Sequence, residues 1–412
     1  MNSLSRNTNT LPTGEIHARQ IAFFAAFILP MYKIIEAPSL LARYANGDLL
    51  LPALLHYLLQ TALLLVLLYA AAGSEKTLFE RMEEKLGKLS VIVYIGLGVY
   101  FLFFAVLPLL DLEKFVYAVF YDTSPTLFSF AFFFVFCAFV CTKGIKALGR
   151  AADVSLFLFL FPFLLLLIMS LAEADASNLM PLFQQQPAKS LKAFSYTVPH
   201  FSDVALLLPL IGNLRYKKGD GGKIVTGYGL GAVCTLVFLA VFYGVYSTIA
   251  AREHYAFAKI AQYFPALSVV GRIDLLLVYL LCVVLFIATA TPLAYASEFT
   301  AQVLHTSRKT PIAAALSFAA FLFVLFCNKY YNRFYAVISG KLFPVFLVVA
   351  LSVFFLLFLC GEKTTDRTEK NTDGTEKTAD GREKHKDKKA NKTKKDASRK
   401  LNTEKGGGKN HA

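Results

Sequence analysis

From residue 17 to residue 360 the chain alternates apolar runs of near-spanning length with short charged connections, the pattern of helices that cross a bilayer. Ten spans are expected, near 19–42, 49–72, 89–110, 125–146, 151–171, 196–214, 224–250, 273–297, 311–328 and 335–360. Polar stretches flank them. Residues 1–16 hold no apolar h-region and no small-residue cleavage site, so the first span reads as a signal-anchor. After Gly361 the pattern stops. Segments 368–374 (TEKNTDG), 375–381 (TEKTADG) and 382–388 (REKHKDK) form a degenerate repeat without an apolar position. Residues 361–412 are therefore expected to be a disordered basic tail rather than a coiled coil.

Composition agrees with the pattern. The 412 residues are 56% hydrophobic and 14% aromatic, with a mean hydropathy of +0.53. The expected fold class is an all-α polytopic membrane protein. The net charge of +14 is divided between the tail and alternate connections. Lys and Arg gather before the first span and in the second-to-third, fourth-to-fifth, sixth-to-seventh and eighth-to-ninth connections. The stretches at 111–124 and 172–195 are poorer in them, which puts both termini in the cytoplasm. The basic tail would then face anionic lipid, or be solvated without a specific role; no specific nucleic acid is expected. The long connection 251–271 is external in this reading and suits a short surface helix.

One apolar run is unlike the others. Ile28 to Leu41 (ILPMYKIIEAPSLL) carries Lys33 and Glu36 between Pro30 and Pro38. Each proline leaves the carbonyl four residues earlier without its helical partner, here Ala26 and Ile34. Freed backbone at membrane depth is tolerated only inside protein or beside a water-filled cavity, and a charge there costs about 3 kcal/mol. Two readings follow: a broken helix that bears a site, or a kinked packing helix in which Lys33 and Glu36 pair with each other.

A second run, Ser195 to Asn213 (SYTVPHFSDVALLLPLIGN), repeats the theme. Pro199 and Pro209 interrupt it, and His200, Ser202 and Asp203 stand where a half-helix would begin. Such a start attracts anions, whereas Asp203 with a freed carbonyl suits a cation or an ammonium. The interrupted runs open the two five-span halves, as in inverted-repeat transporters with a midplane site. Tyr32, Lys33, Glu36, His200, Ser202 and Asp203 are thus the candidate ligand-binding residues. The Ile34 and Ala288 carbonyls with Thr289 and Thr291 form a candidate cation site, because Pro292 frees the Ala288 carbonyl. The alternative is that the threonines bond within their own helix.

Other positions read as structural. Asp153 and Asp274 are expected to cap helix starts. The Gly227-Tyr-Gly-Leu-Gly231 run reads as a packing surface. The six cysteines lie in apolar runs, and Cys137 and Cys141 have no His or carboxylate to complete a metal set; Cys360 is an acylation candidate. No phosphate loop, H-E-x-x-H or nucleophile–base pair is present, so neither an enzyme nor a cofactor is expected.

Several stretches, in order, resemble one family: EAPSLLARYA (36–45), KTLFERMEEKLGKL (76–89), KGIKALGRAADVSLFLF (143–159), NLMPLF (178–183) and GRIDLLLVY (271–279). The chain resembles the B subunit of spore germinant receptors, the spore permease branch of the amino acid–polyamine–organocation superfamily. The resemblance implies a five-plus-five inverted repeat with broken first and sixth helices. It also implies binding of a small-molecule germinant beside A-type and C-type receptor subunits. Where that family usually has glycines in the first break, this chain has Met31 and Lys33. They would crowd a ligand carboxylate, although Lys33 can supply positive charge or stand where a cation would sit. Stand-alone permease and non-transporting scaffold are the other readings.

Overall fold

Long runs of Leu, Phe, Val and Ala without interior breakers propagate as helix, and lipid exposure requires it, because each backbone group must be satisfied within its own segment. A computed structural model describes residues 16–72, 76–120, 126–180, 186–262 and 273–328, with isolated positions up to 337. The N-terminal segment, the expected tenth span and the tail lie outside the described residues.

The first span is not one helix. α1 (Ala18–Phe23) runs into a π-helical turn (Phe24–Ile28) and then a 3₁₀ turn (Leu29–Tyr32) that has Pro30 in its first positions. After residues 33–36 the chain resumes as α2 (Ala37–Ala45), with Pro38 in its first turn. The two arms differ in direction by 60°. α3 (Leu50–Ala71) crosses next.

The second-to-third connection is partly a helix, α4 (Leu78–Leu86). It starts at a capping box in which Thr77 Oγ1 accepts from the Glu80 N–H at 3.2 Å. Its Arg81 is buried and donates to the Ala70 and Ala71 carbonyls at 2.8 and 3.1 Å, closing the C-terminus of α3. α5 (Ser90–Phe120) continues through Pro108, so the expected end of the third span near 110 is corrected. Asp111 and Glu113, within the connection expected at 111–124, are buried on that helix.

α6 (Thr126–Lys143) and α7 (Ile145–Leu171) meet at Gly144, which has φ +68°. Because α7 starts at Ile145, Asp153 is two turns inside it and not a cap. Asp153 instead accepts from Gln20 Nε2 at 3.1 Å and pairs with Arg19 at 3.4 Å. The sixth span begins at Pro187, earlier than expected, as α8 (Pro187–Thr197). It passes through a 3₁₀ turn (Val198–Phe201) and resumes as α9 (Asp203–Gly212) without a bend comparable to that of the first span. α10 (Asp220–Tyr246), α11 (Ala256–Gln262), α12 (Ile273–Val303) and α13 (Lys309–Asn328) complete the described chain. Asp274 is the second residue of α12; its side chain lies outside the described residues. Among the described residues seven helices are long and apolar enough to span, and eight when the bent pair counts as one.

The two interrupted spans lie among continuous ones. α12 packs on α5 and α7, α1 on α10, and α2 on α8. The α1–α10 approach is backbone to backbone. A Cβ added at Gly227 would lie 2.4 Å from the Ala22 oxygen, and one at Gly231 2.5 Å from the Ala25 oxygen. Gly229, between them, faces open space. Gly227→Ala and Gly231→Ala should therefore each lower stability by about 1–3 kcal/mol in thermal unfolding of the detergent-solubilised protein. Gly229→Ala should be neutral or stabilising by about 0.5–1 kcal/mol, since only helix propensity changes there. Equal effects at all three positions would contradict the packing described.

Candidate functional site

Lys33 ends the 3₁₀ turn of the first span and is 1% exposed. Its stem folds back so that Nζ donates to the Leu29 carbonyl at 3.1 Å and to Asp203 Oδ1. Nζ also lies over the rings of Phe201 at 5.5 Å and Tyr57 at 5.9 Å. Asp203 is the first residue of α9, and its second oxygen accepts from the Tyr228 hydroxyl at 2.9 Å. Gln60 Oε1 of α3 accepts the next N–H, that of Val204, at 3.1 Å. Ser202 does not line the pair; its hydroxyl donates back to the Val198 carbonyl at 2.9 Å.

Glu36 does not pair with Lys33. Three residues apart on a helix they would be neighbours, but residues 33–36 are the break, and the side chains diverge. Glu36 Oε2 is 3.1 Å from Nδ1 of His254, in the connection after α10. The same connection supplies two backbone donors. The N–H groups of Ala256 and Phe257, at the start of α11, reach the Ile35 and Ile34 carbonyls at 2.9 and 3.2 Å. Tyr255, immediately before, has φ +59°, a costly value for a bulky residue, and it sets the turn that aims those groups. Phe115 of α5 packs on Tyr255 and Phe257 with ring centroids 5.5 and 5.2 Å away.

The carbonyls expected to be free for a cation thus already have donors. Ile34 accepts from Phe257, and the Ala288 carbonyl accepts from the Tyr32 hydroxyl. Thr289 and Thr291 donate within α12, to Leu285 and Ile287 at 2.9 and 2.8 Å. Helical hydroxyls return to the carbonyl four back when no outside acceptor is nearer. His200 lies beside the break with a buried Nε2 that has no hydrogen-bond partner among the described residues.

Sequence reasoning missed Gln60, Tyr57, Tyr228, His254 and His56. The His56 ring is stacked between Phe194 and Phe201 at 3.9 and 4.5 Å, and its Nε2 is 3.0 Å from the Phe194 carbonyl. A signal existed: His56 and Gln60 are polar, four apart, and sit inside an otherwise apolar span, so they share one inward face.

The family model described as spore germination protein matches residues 34–333, which include α2 and the whole sixth span; Lys33 and the arm before it precede the match. The chain belongs to the spore germination protein family. No curated protein matches it. The chain is similar in fold to a manganese transporter of Eremococcus coleocola. One variant of that transporter shares 12% identity at a TM-score of 0.50, covering 84% of this chain and 76% of the other. A second variant gives 13% and 0.49, covering 87% and 81%. At these identities the likeness is one of fold, a transporter fold carried by a spore germination protein. Among the described residues no group of three or more His, Cys, Asp or Glu is arranged to hold a metal ion.

The Glu36 hydrogen bond holds the His254 imidazole above its ordinary value, with partial burial and Arg43 opposing and Glu253 assisting. A raised folded-state value means stabilisation that is complete below the unfolded value, about 6.5, and is lost as pH rises through the folded one. Thermal unfolding of wild type and His254→Ala should differ most below about pH 6.5 and converge as pH rises. Glu36→Gln should remove that pH dependence. A gap that is constant, or that widens with pH, would contradict the pairing.

Proposed function

We propose that this spore germination protein is the membrane subunit of a germinant receptor that binds a small nutrient between its first and sixth spans. The supporting observation is the buried Lys33–Asp203 pair, which joins the two interrupted helices at membrane depth beside His200, whose Nε2 has no hydrogen-bond partner among the described residues. A charge at such depth is most often functional and faces a bundle interior. Tyr32, Lys33, Glu36, His200 and Asp203 surround the break, with Ser202 completing the turn. The reading includes ten spans in a five-plus-five inverted repeat, both termini in the cytoplasm, and residence in the cell or spore inner membrane. It also includes A-type and C-type subunits as partners, with lipid at the basic tail. A stand-alone permease for amino acids or related metabolites is the second reading, favoured by the transporter fold. Nothing about manganese carries over from a likeness at this identity.

The test is nutrient response and ligand binding in Lys33→Met, Asp203→Asn and the double variant at matched membrane levels. A structural pair replaced on both sides by uncharged groups of similar volume is close to neutral. A binding pair is not, so the double variant should insert normally and lose response at least tenfold, about 1.4 kcal/mol of binding. Wild-type response in the double variant would overturn the site.

A further inference from the structure

We propose that Lys33 is the resident cation of an ammonium-binding cradle, filling from within a position that would otherwise take a free monovalent cation. The cradle is built by parts of the chain distant in sequence. The Leu29 carbonyl and the Asp203 carboxylate accept from Nζ, and the faces of Phe201 and Tyr57 cover it. Carbonyl and carboxylate oxygens with aromatic faces form a recognition set for a cation that carries N–H donors.

The acceptor is supported by two further groups. Tyr228 donates to the second oxygen of Asp203, and Gln60 accepts the N–H of the next residue, Val204, at the start of α9. The cation is supplied by the break itself. The backbone of Lys33 continues the 3₁₀ turn, and its stem reaches one turn back to Leu29. A plain structural ion pair needs only a partner; this one has a shaped seat. The cation side of this midplane site is therefore internal, and the wild-type protein needs no added metal ion there. This role of Lys33 goes beyond the germination reading and holds whichever nutrient the broken helices take.

Lys33→Ala deletes the atoms of a propylammonium ion and leaves the seat. Thermal unfolding of the purified full-length Lys33→Ala protein in detergent, titrated with propylammonium chloride, should show a saturable rise in midpoint. Propanol, of the same shape but neutral, should not reproduce it. Tetramethylammonium, charged but without N–H donors, should not either. Sodium and potassium at the same ionic strength should give a smaller rise, because they bring neither N–H donors nor the propyl stem and are more costly to dehydrate. Wild type and Lys33→Ala/Asp203→Asn should show no specific rise, the first because its seat is filled and the second because its acceptor is gone. If Lys33→Ala does not accumulate, its folded yield from cells grown with propylammonium becomes the readout. Absence of a propylammonium-specific gain, or an equal gain in the Asp203-less double variant, would overturn the assignment. Loss of nutrient response alone would leave it standing.

Discussion

A lysine and an aspartate that meet at membrane depth are the constraint around which the rest of this structure is arranged. Neither charge is tolerated alone in an apolar interior, and the attraction between them compensates for lost hydration only when further hydrogen bonds complete the set. Each neighbouring feature contributes to that set. The Leu29 carbonyl, Tyr228 and Gln60 complete the polar contacts, and Phe201 and Tyr57 exclude water. The interruption of both helices follows from the same need. Lys33 turns inward where the first span leaves its regular path, and Asp203 meets it from the first residue of α9.

The second pair, Glu36 with His254, has a different character. It lies nearer the surface, with 59% of the histidine side chain exposed, and it ties the connection after α10 to the far side of the break. The two N–H groups at the start of α11 satisfy the carbonyls that Pro38 and the unwound turn leave over. The broken span is thus held at two levels, one a buried ion pair, the other half-exposed and sensitive to protons. Close packing on the glycine face of α10 fixes the arm that precedes both.

Much of this was legible in the sequence. Apolar length located most of the described spans, though not the end of the third or the start of the sixth, and the prolines with Lys33 and Glu36 located the first break. What could not be read was the choice of partners. Spacing of three residues suggested a Lys33–Glu36 pair, whereas the true partners are 170 and 218 residues away. Local spacing predicts contact only while the helix continues, and the break ends it. The span end expected near 110 also left Asp111 and Glu113 in a connection, because a carboxylate buried on a helix and one in a loop look alike in sequence. The Thr77–Glu80 capping box is present in the sequence, a helix-start signal in a connection that was read only for its basic charge.

The most direct test of the central claim is a double-mutant cycle between Lys33 and Asp203, with unfolding free energy in detergent as the readout. Lys33→Met and Asp203→Asn should each destabilise the protein by about 3–5 kcal/mol, since each leaves the other charge buried and uncompensated. The double variant should recover most of that loss. Additive single effects, with no recovery in the double variant, would show that the two side chains do not depend on each other and would contradict the account.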